Sequence, residues 1–462
     1  MLLIPLAGIA LVIMTRRWGS EIAIIVAALE FIFFLIASVA FIHIGNVNES
    51  YVLMPAINVN LDLGMNNISF IFMFLTVVVF LAASIASRFF VEEERLGYNL
   101  LIMLGEAGSI GLFLSGNLFV LYLFWDLSII VMFFMLFHFG SYDRRYASIK
   151  FIIYSIFSSS LLLIGIILIY FNLPTHSFSI NQLLNMGYLI PKNTQILIFA
   201  LLLTAFMVKM PVFPFHSWAP DAYSESNSGG AILLSGVLSK FGVYGLIILF
   251  ISLPIAKEYS IYVGILFALS SIYGAATAMS QKNLKRMLSY LSISEIGILG
   301  FAVATMNVLG MSAALFGSLS HALVISLLFL IVFGIEKVFG TPTIDRLGGI
   351  TKESWFIGYL FLFGILATIG LPLTSGFISD LLMFLGGVKS FGIIIMLPAI
   401  ALIINAAYLF WTYERVFLIG NEAERYDILD NSVIASFVLL AAFIIVIGIF
   451  PQIVLNGIGA IL

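Results

Sequence analysis

Cysteine is absent from all 462 residues of the chain, and charged side chains make up only 9% of them. The lack of cysteine excludes disulfides, thiolate-bound iron–sulfur clusters and cysteine zinc sites from this chain. The low charge, beside 62% hydrophobic residues and a mean hydropathy of +1.18, excludes an ordinary soluble domain. No glycine-rich nucleotide motif follows a predicted strand, which argues against a redox enzyme that acts alone. We expect no cofactor and no metal in this chain.

Apolar runs of membrane-spanning length follow one another along almost the whole sequence. About 20 apolar residues suffice for a transmembrane helix. The sequence therefore predicts an all-α polytopic membrane protein, one membrane domain over 1–462. Between the second and third runs, the alternation over Ile57–Leu63 predicts a short strand or hairpin. About fourteen helices are predicted, at 1–14, 20–44, 69–88, 99–114, 117–138, 147–171, 194–213, 229–253, 259–280, 286–305, 309–335, 355–388, 393–417 and 433–458.

Lysine and arginine are distributed very unequally between the two sides of this predicted bundle. One side has only Lys192, Lys257 and Lys389, and two further lysines fall inside spans. By the positive-inside rule, the basic side faces the cytoplasm of a cell (inner) membrane and both termini face outward. The basic side has the remaining fifteen residues: Arg16, Arg17, Arg88, Arg95, Arg144, Arg145, Lys150, Lys282, Lys285, Arg286, Lys337, Arg346, Lys352, Arg415 and Arg425.

Two lysines, Lys209 and Lys240, lie within spans that are otherwise almost uncharged. A lysine near the bilayer centre costs about 2.5–3.5 kcal/mol on insertion scales, so its charge is expected to serve a function. Pro211 and Pro214 follow Lys209 closely, and proline cannot continue a regular helix. A buried cation beside a broken helix indicates an ion pathway.

A second predicted span is interrupted in a comparable place. Pro372 and Gly376 break the span over 355–388, and Asp380 lies just beyond them. Paired broken helices indicate two inverted repeats with a site near the membrane centre. We predict a first five-helix repeat over 99–253 and a second over 259–417, with discontinuous helices 7 and 12. The alternative is that proline and glycine are simply common in membrane helices.

The intramembrane polar residues suggest a proton pathway. Buried groups of opposite charge alter one another's proton affinity, so carboxylates, lysines and histidines bridged by water can pass a proton in steps. We predict that Asp126 and Lys209 form a coupled pair. Lys240 is the next station, and His321 connects it to Asp380.

Three further polar residues are accessory candidates. His216 either joins the path or only caps the helix break. Glu295 either joins the path or forms a structural ion pair with the loop over 282–286. Glu106 lies on a span next to that of Asp126 and is expected to support it. Glu30, outside the predicted repeats, is expected near a helix end or against a neighbouring subunit.

Four segments resemble one family closely. Val208–Tyr223 resembles the seventh-helix signature of the antiporter-like subunits shared by respiratory complex I, Mrp-type sodium/proton antiporters and membrane-bound hydrogenase-type complexes. Leu238–Gly245 resembles the eighth-helix lysine motif, and Gln281–Tyr290 the loop between helices nine and ten. Ser320–Leu323 resembles the eleventh-helix histidine motif. The resemblance covers nearly the whole chain.

This resemblance implies a proton-translocating subunit, with proton or sodium/proton transport, in a larger assembly. The family's path residues fall here on Asp126, Lys209, Lys240 and Asp380. The implied partners are other membrane subunits, including a second antiporter-like subunit, and a peripheral redox arm. The surroundings are a lipid bilayer, and no nucleic acid is expected.

The sequence departs from the family pattern at four places. The fifth-helix acid, usually glutamate, is Asp126, and Ile325 replaces the lysine that usually follows the histidine by four residues. The usual proline is missing from Ser226–Gly230, and Glu106 is an extra acid. Water, or His321 with Ser326, is expected to bridge the gap at Ile325. The aspartate at position 380 resembles the middle complex I member, whereas the departures suggest a hydrogenase or sulfur-reducing lineage.

Two alternative functions stay open at this point. Ile325 favours a structural antiporter-like subunit whose channel is inactive. The second alternative is a stand-alone cation/proton secondary transporter, which would work without partner subunits.

Overall fold

The computed structural model describes residues 1–15, 18–45, 47–55, 59–91, 95–420 and 426–458. Arg16, Arg17, Arg425 and Ile57, which entered the predictions of sidedness and of the hairpin, lie outside these residues. The described residues are mostly helical. The N-terminal third contains α1 Leu3–Thr15, α2 Gly19–Ile44, β1 Val47–Met54, β2 Val59–Met65, α3 Asn67–Phe90, α4 Arg95–Leu114, α5 Leu118–Phe139 and α6 Arg144–Asn172.

The middle third contains short helices beside the long ones. Its elements are α7 Ile180–Met186, α8 Lys192–Lys209, α9 Ala219–Glu225, α10 Ser228–Leu233, a π-helical turn at Leu234–Leu238, α11 Ser239–Ser252, α12 Ile255–Met279 and α13 Leu284–Ala304. The C-terminal third contains α14 Val308–Phe339, α15 Ile350–Glu353, α16 Trp355–Thr368, α17 Ser375–Phe391, α18 Met396–Tyr413, a second π turn at Glu414–Leu418, α19 Asn431–Ile449 and α20 Gln452–Ile458.

Among the described residues, twelve helical stretches are long and apolar enough to cross a membrane, and α1 and α16 are shorter apolar helices. The chain is an all-α, multi-pass membrane protein, which confirms the predicted fold class. The count of fourteen transmembrane helices stays a prediction. The predicted hairpin is present as the antiparallel pair of β1 and β2, in which Val47 lies opposite Met65.

The loops gather into two groups at opposite ends of the bundle. At one end, the backbone of Gly116 donates to Asp62 and accepts from Ile180, and Lys192 pairs with Glu258. At the other end, Ser141 donates to the carbonyl of Glu225, Gly349 donates to Ile419, and Tyr426 donates to Val338. These two groups coincide with the two sides assigned from the basic residues.

One capping arrangement recurs at both ends. The side chain of Asn117 accepts hydrogen bonds from the first backbone N–H groups of α5, and Asn117 forms an isolated bridge with Ser179. Asn283 does the same for α13 and forms an antiparallel bridge with Thr343. Such a pair of matching caps at opposite ends is what inverted repeats would produce. The repeat bounds 99–253 and 259–417 stay predictions.

The centre of the bundle is formed by α14 and by the continuous stretch from α10 to α11. Every residue of Ser228–Ser252 except Ile251 is buried, and most of α14 is buried as well. By contrast, α2 and α6 present exposed isoleucine and phenylalanine side chains outward, where lipid would contact them. Ionisable residues on α11 and α14 are therefore far from the lipid-facing surface.

Candidate functional site

The first helix break lies at the end of α8. This helix ends at Lys209, and no regular helix resumes until α9 begins at Ala219. Pro211 and Pro214 lie in the turns between them and have no N–H to donate. The indole N–H of Trp218 donates to the carbonyl of Val208 at 2.9 Å and so satisfies a carbonyl at the helix end.

Lys209 occupies an aromatic enclosure. Its side chain is 2% exposed, and among the described residues its ammonium group has no hydrogen-bond partner. The nitrogen lies 5.3 Å from the ring centroid of Trp125, 5.6 Å from that of Phe241 and 5.9 Å from that of Phe151. Aromatic faces attract a cation but cannot accept its proton. Proton transfer from Lys209 therefore requires water or a moving side chain.

Asp126 lies beside this enclosure but does not pair directly with Lys209. Its carboxylate accepts a hydrogen bond from the Ser159 hydroxyl of α6, 2.5 Å away, and its charge acts on Lys209 through space. Among the described residues, Lys209 forms neither an ion pair nor a hydrogen bond with Asp126. The structure thus brings the two residues into one region and leaves a gap between them.

Lys240 and His321 are in direct contact. The Lys240 nitrogen lies 2.5 Å from Nδ1 of His321 and 2.6 Å from the carbonyl oxygen of Ser235. Both side chains are buried, Lys240 completely. The π turn just before α11 contributes this geometry, because a π turn inserts one residue and rotates the following side chains. Two basic groups that share one proton position are arranged for proton transfer.

A small internal cavity begins at His321. It is lined by Glu295 of α13 and Asp380 of α17, and by Ser320 and Ile325. The cavity has a volume of about 30 Å³, enough for at least one water molecule. The Nε2 atom of His321 has no protein partner among the described residues. Water in this cavity would connect the imidazole to the two carboxylic acids.

The second helix break positions Asp380. Helix α16 ends at Thr368, and α17 begins at Ser375 after a turn that contains Pro372. Gly370 has φ +74°, and a Cβ added there would lie 2.8 Å from Oδ2 of Asp380. A Cβ at Gly376 would collide with the carbonyl oxygen of Ala367. Both glycines allow the two half-helices to approach closely, so that Asp380 reaches the cavity.

Glu295 is positioned by α18 rather than by the basic loop. Its Oε1 atom accepts a hydrogen bond from Nδ2 of Asn405 at 3.1 Å. The expected ion pair with the loop over 282–286 is wrong for the described residues, because Arg286 pairs with Asp221 and Lys285 pairs with Glu336. The packing of α13 turns Glu295 toward Asp380, whose charge acts on it.

Two other candidates lie apart from the cavity. Nε2 of His216 contacts the hydroxyl of Tyr273 at 3.1 Å, so His216 braces the break against α12. Glu106 is completely buried and faces α2, where Glu30 acts on it electrostatically. The predicted support of Asp126 by Glu106 stays a prediction. Glu30 is also completely buried, so its expected position at an end or a subunit contact was wrong.

An ion cluster at the basic end was missed in the sequence. Asp221 of α9 pairs with Lys150 of α6 at 2.7 Å and with Arg286 of α13 at 2.8 Å. The signal was present, since Asp221 belongs to the seventh-helix motif and both basic residues were assigned to one side. The cluster ties α9 to α6 and α13, and so fixes the break at the basic end.

The fold and the site define a class: a multi-pass membrane protein in which two interrupted helices each carry an ionisable residue inside the helix bundle. The sequence profile described as "NADH:quinone oxidoreductase/Mrp antiporter, TM" matches residues 115–404. The chain belongs to this family of transmembrane antiporter-like subunits, as its motifs predicted.

Curated relatives are similar along most of their length. The NADH-quinone oxidoreductase subunit M of Rickettsia felis is 32% identical over 413 residues, which is 88% of this chain and 83% of the relative. The F(420)H(2) dehydrogenase subunit M of Methanosarcina mazei is 32% identical over 427 residues, 88% of this chain and 84% of the relative. Both names describe subunits of multisubunit oxidoreductases.

Solved structures share the fold. A chain of the membrane-bound sulfane sulfur reductase, an archaeal respiratory membrane complex, has a TM-score of 0.89 and 28% identity, and the match covers 100% of this chain and 77% of that one. A chain of respiratory complex I from Thermus thermophilus has a TM-score of 0.91 at 24% identity, with 99% and 96% covered. A chain of the Mrp complex from Dietzia sp. DQ12-45-1b has a TM-score of 0.89 at 19% identity, with 99% and 95% covered.

Proposed function

We propose that this chain is the proton-translocating subunit of a multisubunit membrane redox complex or Mrp-type complex. The contact between Lys240 and His321 carries this proposal. It joins two buried ionisable groups at the centre of the bundle, and His321 opens onto a cavity lined by two acids. A structural strut would have no need of a buried lysine that costs several kcal/mol.

The geometry supports a stepwise proton path through the chain. A charged Lys240 donates its hydrogen bond to Nδ1 of His321, which places the single proton of a neutral imidazole on Nε2. Transfer of the shared proton to Nδ1 leaves a neutral lysine and an imidazolium. The imidazolium releases its Nε2 proton, through cavity water, toward Glu295 or Asp380. The imidazole then carries the transferred proton on Nδ1, and the pair is reset when water moves this proton to Nε2 and Lys240 takes up a new proton from Lys209.

The upstream half of the path connects Asp126 to Lys209 and then to Lys240. A charged Asp126 favours the ammonium form of Lys209, and neutralisation of Asp126 removes that attraction. The Lys209 ammonium lies 5.6 Å from the ring centroid of Phe241, which is the next residue after Lys240 on α11. Water that enters beside Phe241 completes the transfer.

The setting of the proposed function is a cell membrane with both termini on the outer face. Fifteen of the basic residues lie on the predicted cytoplasmic side, in accord with the positive-inside rule. Other membrane subunits, a second antiporter-like subunit and a peripheral redox arm are the proposed partners. They would perform the redox chemistry, because we propose no cofactor for this chain.

Replacement of Asp126 with asparagine tests the path directly. The intact complex is purified from its native membrane, its subunits are identified, and it is reconstituted into vesicles. We expect Asp126→Asn to lower proton uptake at least about tenfold, since a lost charge that raises one barrier by about 1.4 kcal/mol suffices. Electron transfer should continue in a redox complex.

The matched control is Asp62→Asn, at the surface of the hairpin, where proton uptake should stay unchanged. Normal uptake with Asp126→Asn would refute the path. Full activity of the isolated chain in vesicles would instead establish a stand-alone transporter. A structural subunit with an inactive channel predicts that neither change affects uptake.

An isoleucine at position 325 favours the inactive-channel alternative. Charged substitutions at this position distinguish an active channel from an inactive one. Ile325 is 2% exposed, lies one turn after His321 and lines the same cavity as Glu295 and Asp380. We expect Ile325→Lys to keep an assembled, pumping complex, because the two acids can pair with the added ammonium. Ile325→Glu adds a third acid to the cavity and should abolish pumping.

The readouts are proton uptake and the yield of assembled complex, with Ile325→Met as the neutral control of similar volume. Equal behaviour of the lysine and glutamate variants would show that the cavity carries no charge-dependent step.

A further inference from the structure

Two glutamates outside the proposed path are completely buried. Glu30 lies in the middle of α2 and Glu106 in α4, and both side chains are 0% exposed. In the described part of the chain, none of their four carboxylate oxygens has a hydrogen-bond partner. Buried carboxylates are normally hydrogen-bonded or paired with a cation. These two therefore require an explanation that the proposed path does not supply.

The two glutamates share one helix interface. A Cβ added to Gly8 of α1 would lie 2.5 Å from Val26 of α2 and 2.9 Å from Met103 of α4. Glu30 lies four residues after Val26, and Glu106 three residues after Met103, which places each on the same face of its helix. The charge of Glu30 acts directly on Glu106. The carboxylates thus face each other across the contact of α2 and α4.

A polar seam leads from this pair toward the basic end of the bundle. Asn99 lies two turns before Glu106 on α4, and its Nδ2 donates to the hydroxyl of Ser20 on α2 at 3.2 Å. The Asn99 side chain is 1% exposed, and its oxygen has no partner among the described residues. This fifth unpartnered oxygen on the same interface indicates that the interface is suited to a group that donates a hydrogen bond or carries a positive charge.

The other charged groups on the surrounding helices lie toward their ends. Glu21 of α2 and Arg88 of α3 pair at 3.6 Å, and Arg95 begins α4. The amino group of Met1 acts on Glu30 from the opposite end, and α1 has no charged side chain. On α5, which packs against α4, Asp126 is turned to Ser159 of α6. Within the described residues, no basic side chain neutralises Glu30 or Glu106.

We infer that Glu30 and Glu106 form a second cation site that holds one proton or one sodium ion between them. Two buried carboxylates that repel each other in an apolar interior cannot both stay charged, and one monovalent cation removes the repulsion. Proton and sodium share this chemistry, because each is bound by carboxylate oxygens. The site is separate from the proposed proton path and does not depend on it.

Carbodiimide labelling of the intact complex tests the site. Dicyclohexylcarbodiimide is an apolar reagent that reacts with protonated carboxyl groups in membrane interiors, and mass spectrometry locates the adduct. We expect an adduct on Glu30 or Glu106, whereas Glu21, which is partly exposed on the same helix as Glu30, should stay unlabelled. If the site binds sodium, NaCl but not KCl should lower the labelling at least about tenfold, because bound sodium displaces the proton that the reagent requires. A proton site predicts equal labelling in both salts and a decline with rising pH.

A second readout covers the case in which the reagent does not reach the pair. Cation binding stabilises the folded complex, so the melting midpoint should depend on sodium or on pH. Glu30→Gln and Glu106→Gln should each remove that dependence, whereas Glu21→Gln on the same helix should keep it. A melting midpoint that keeps its sodium or pH dependence in both glutamine variants would overturn the inference. So would a labelling yield and a melting midpoint that respond to neither sodium nor pH.

Discussion

Replacement of Lys209 with methionine should lower proton uptake to less than about a tenth of the wild-type value while the complex still assembles. Lys209 lies near Asp126 and beside the ring of Phe241, and methionine cannot carry a proton. The loss of one station raises the barrier by at least about 1.4 kcal/mol. Proton uptake by vesicles that contain the intact complex measures the effect.

The melting midpoint of the Lys209→Met complex provides a second test. A buried ammonium without a hydrogen-bond partner costs free energy, and an apolar residue of similar length often restores stability. The melting midpoint of Lys209→Met should therefore equal or exceed that of the wild type. Lys192→Met is the control, because Lys192 is exposed and pairs with exposed Glu258 at the other end of α8. Wild-type proton uptake in Lys209→Met would exclude Lys209 from the path.

Removal of either member of the Lys240–His321 pair should also lower proton uptake at least about tenfold, and here the complex should lose stability as well. In Lys240→Met, Nδ1 of His321 would be left buried without a partner, which costs about 1–3 kcal/mol. In His321→Gln, the amide keeps a hydrogen bond to Lys240 but cannot transfer a proton. The measurements are proton uptake and the melting midpoint of the reconstituted complex.

The double variant decides whether the two residues act as a unit. Residues that share one step show effects that do not add, so Lys240→Met combined with His321→Gln should be no worse than Lys240→Met alone. Lys389→Met, at the exposed end of α17, serves as the control and should leave both readouts unchanged. Additive losses of proton uptake would indicate two independent roles and would contradict direct transfer between the side chains.

The fold class and the helix breaks were predictable because their causes are local. Runs of apolar residues require a membrane, and Pro211, Pro214 and Pro372 cannot complete a helix wherever the chain folds. The family followed from long motifs that contain these same residues. The side of the membrane that each loop group faces stays a prediction from the distribution of lysine and arginine.

The contacts within the site were not predictable, because they depend on how helices are rotated against one another. The π turn at Leu234–Leu238 changes the direction of Lys240, and nothing in its apolar sequence signals an extra residue in the turn. Glu106 was placed near Asp126 by sequence proximity, whereas the packing of α4 turns it toward Glu30 on α2. The partners of Asp221 come from two distant helices and could be found only in three dimensions.

The aromatic enclosure of Lys209 also bears on how the membrane keeps its voltage. Three rings surround the ammonium group and none of them can relay a proton. At rest, this part of the protein is therefore an electrical insulator, and the path is open only while water occupies it. Such an arrangement suits a subunit that separates two compartments of different electrical potential. Protons cross only when the other subunits admit water beside Lys209, so the gradient does not leak between turnovers.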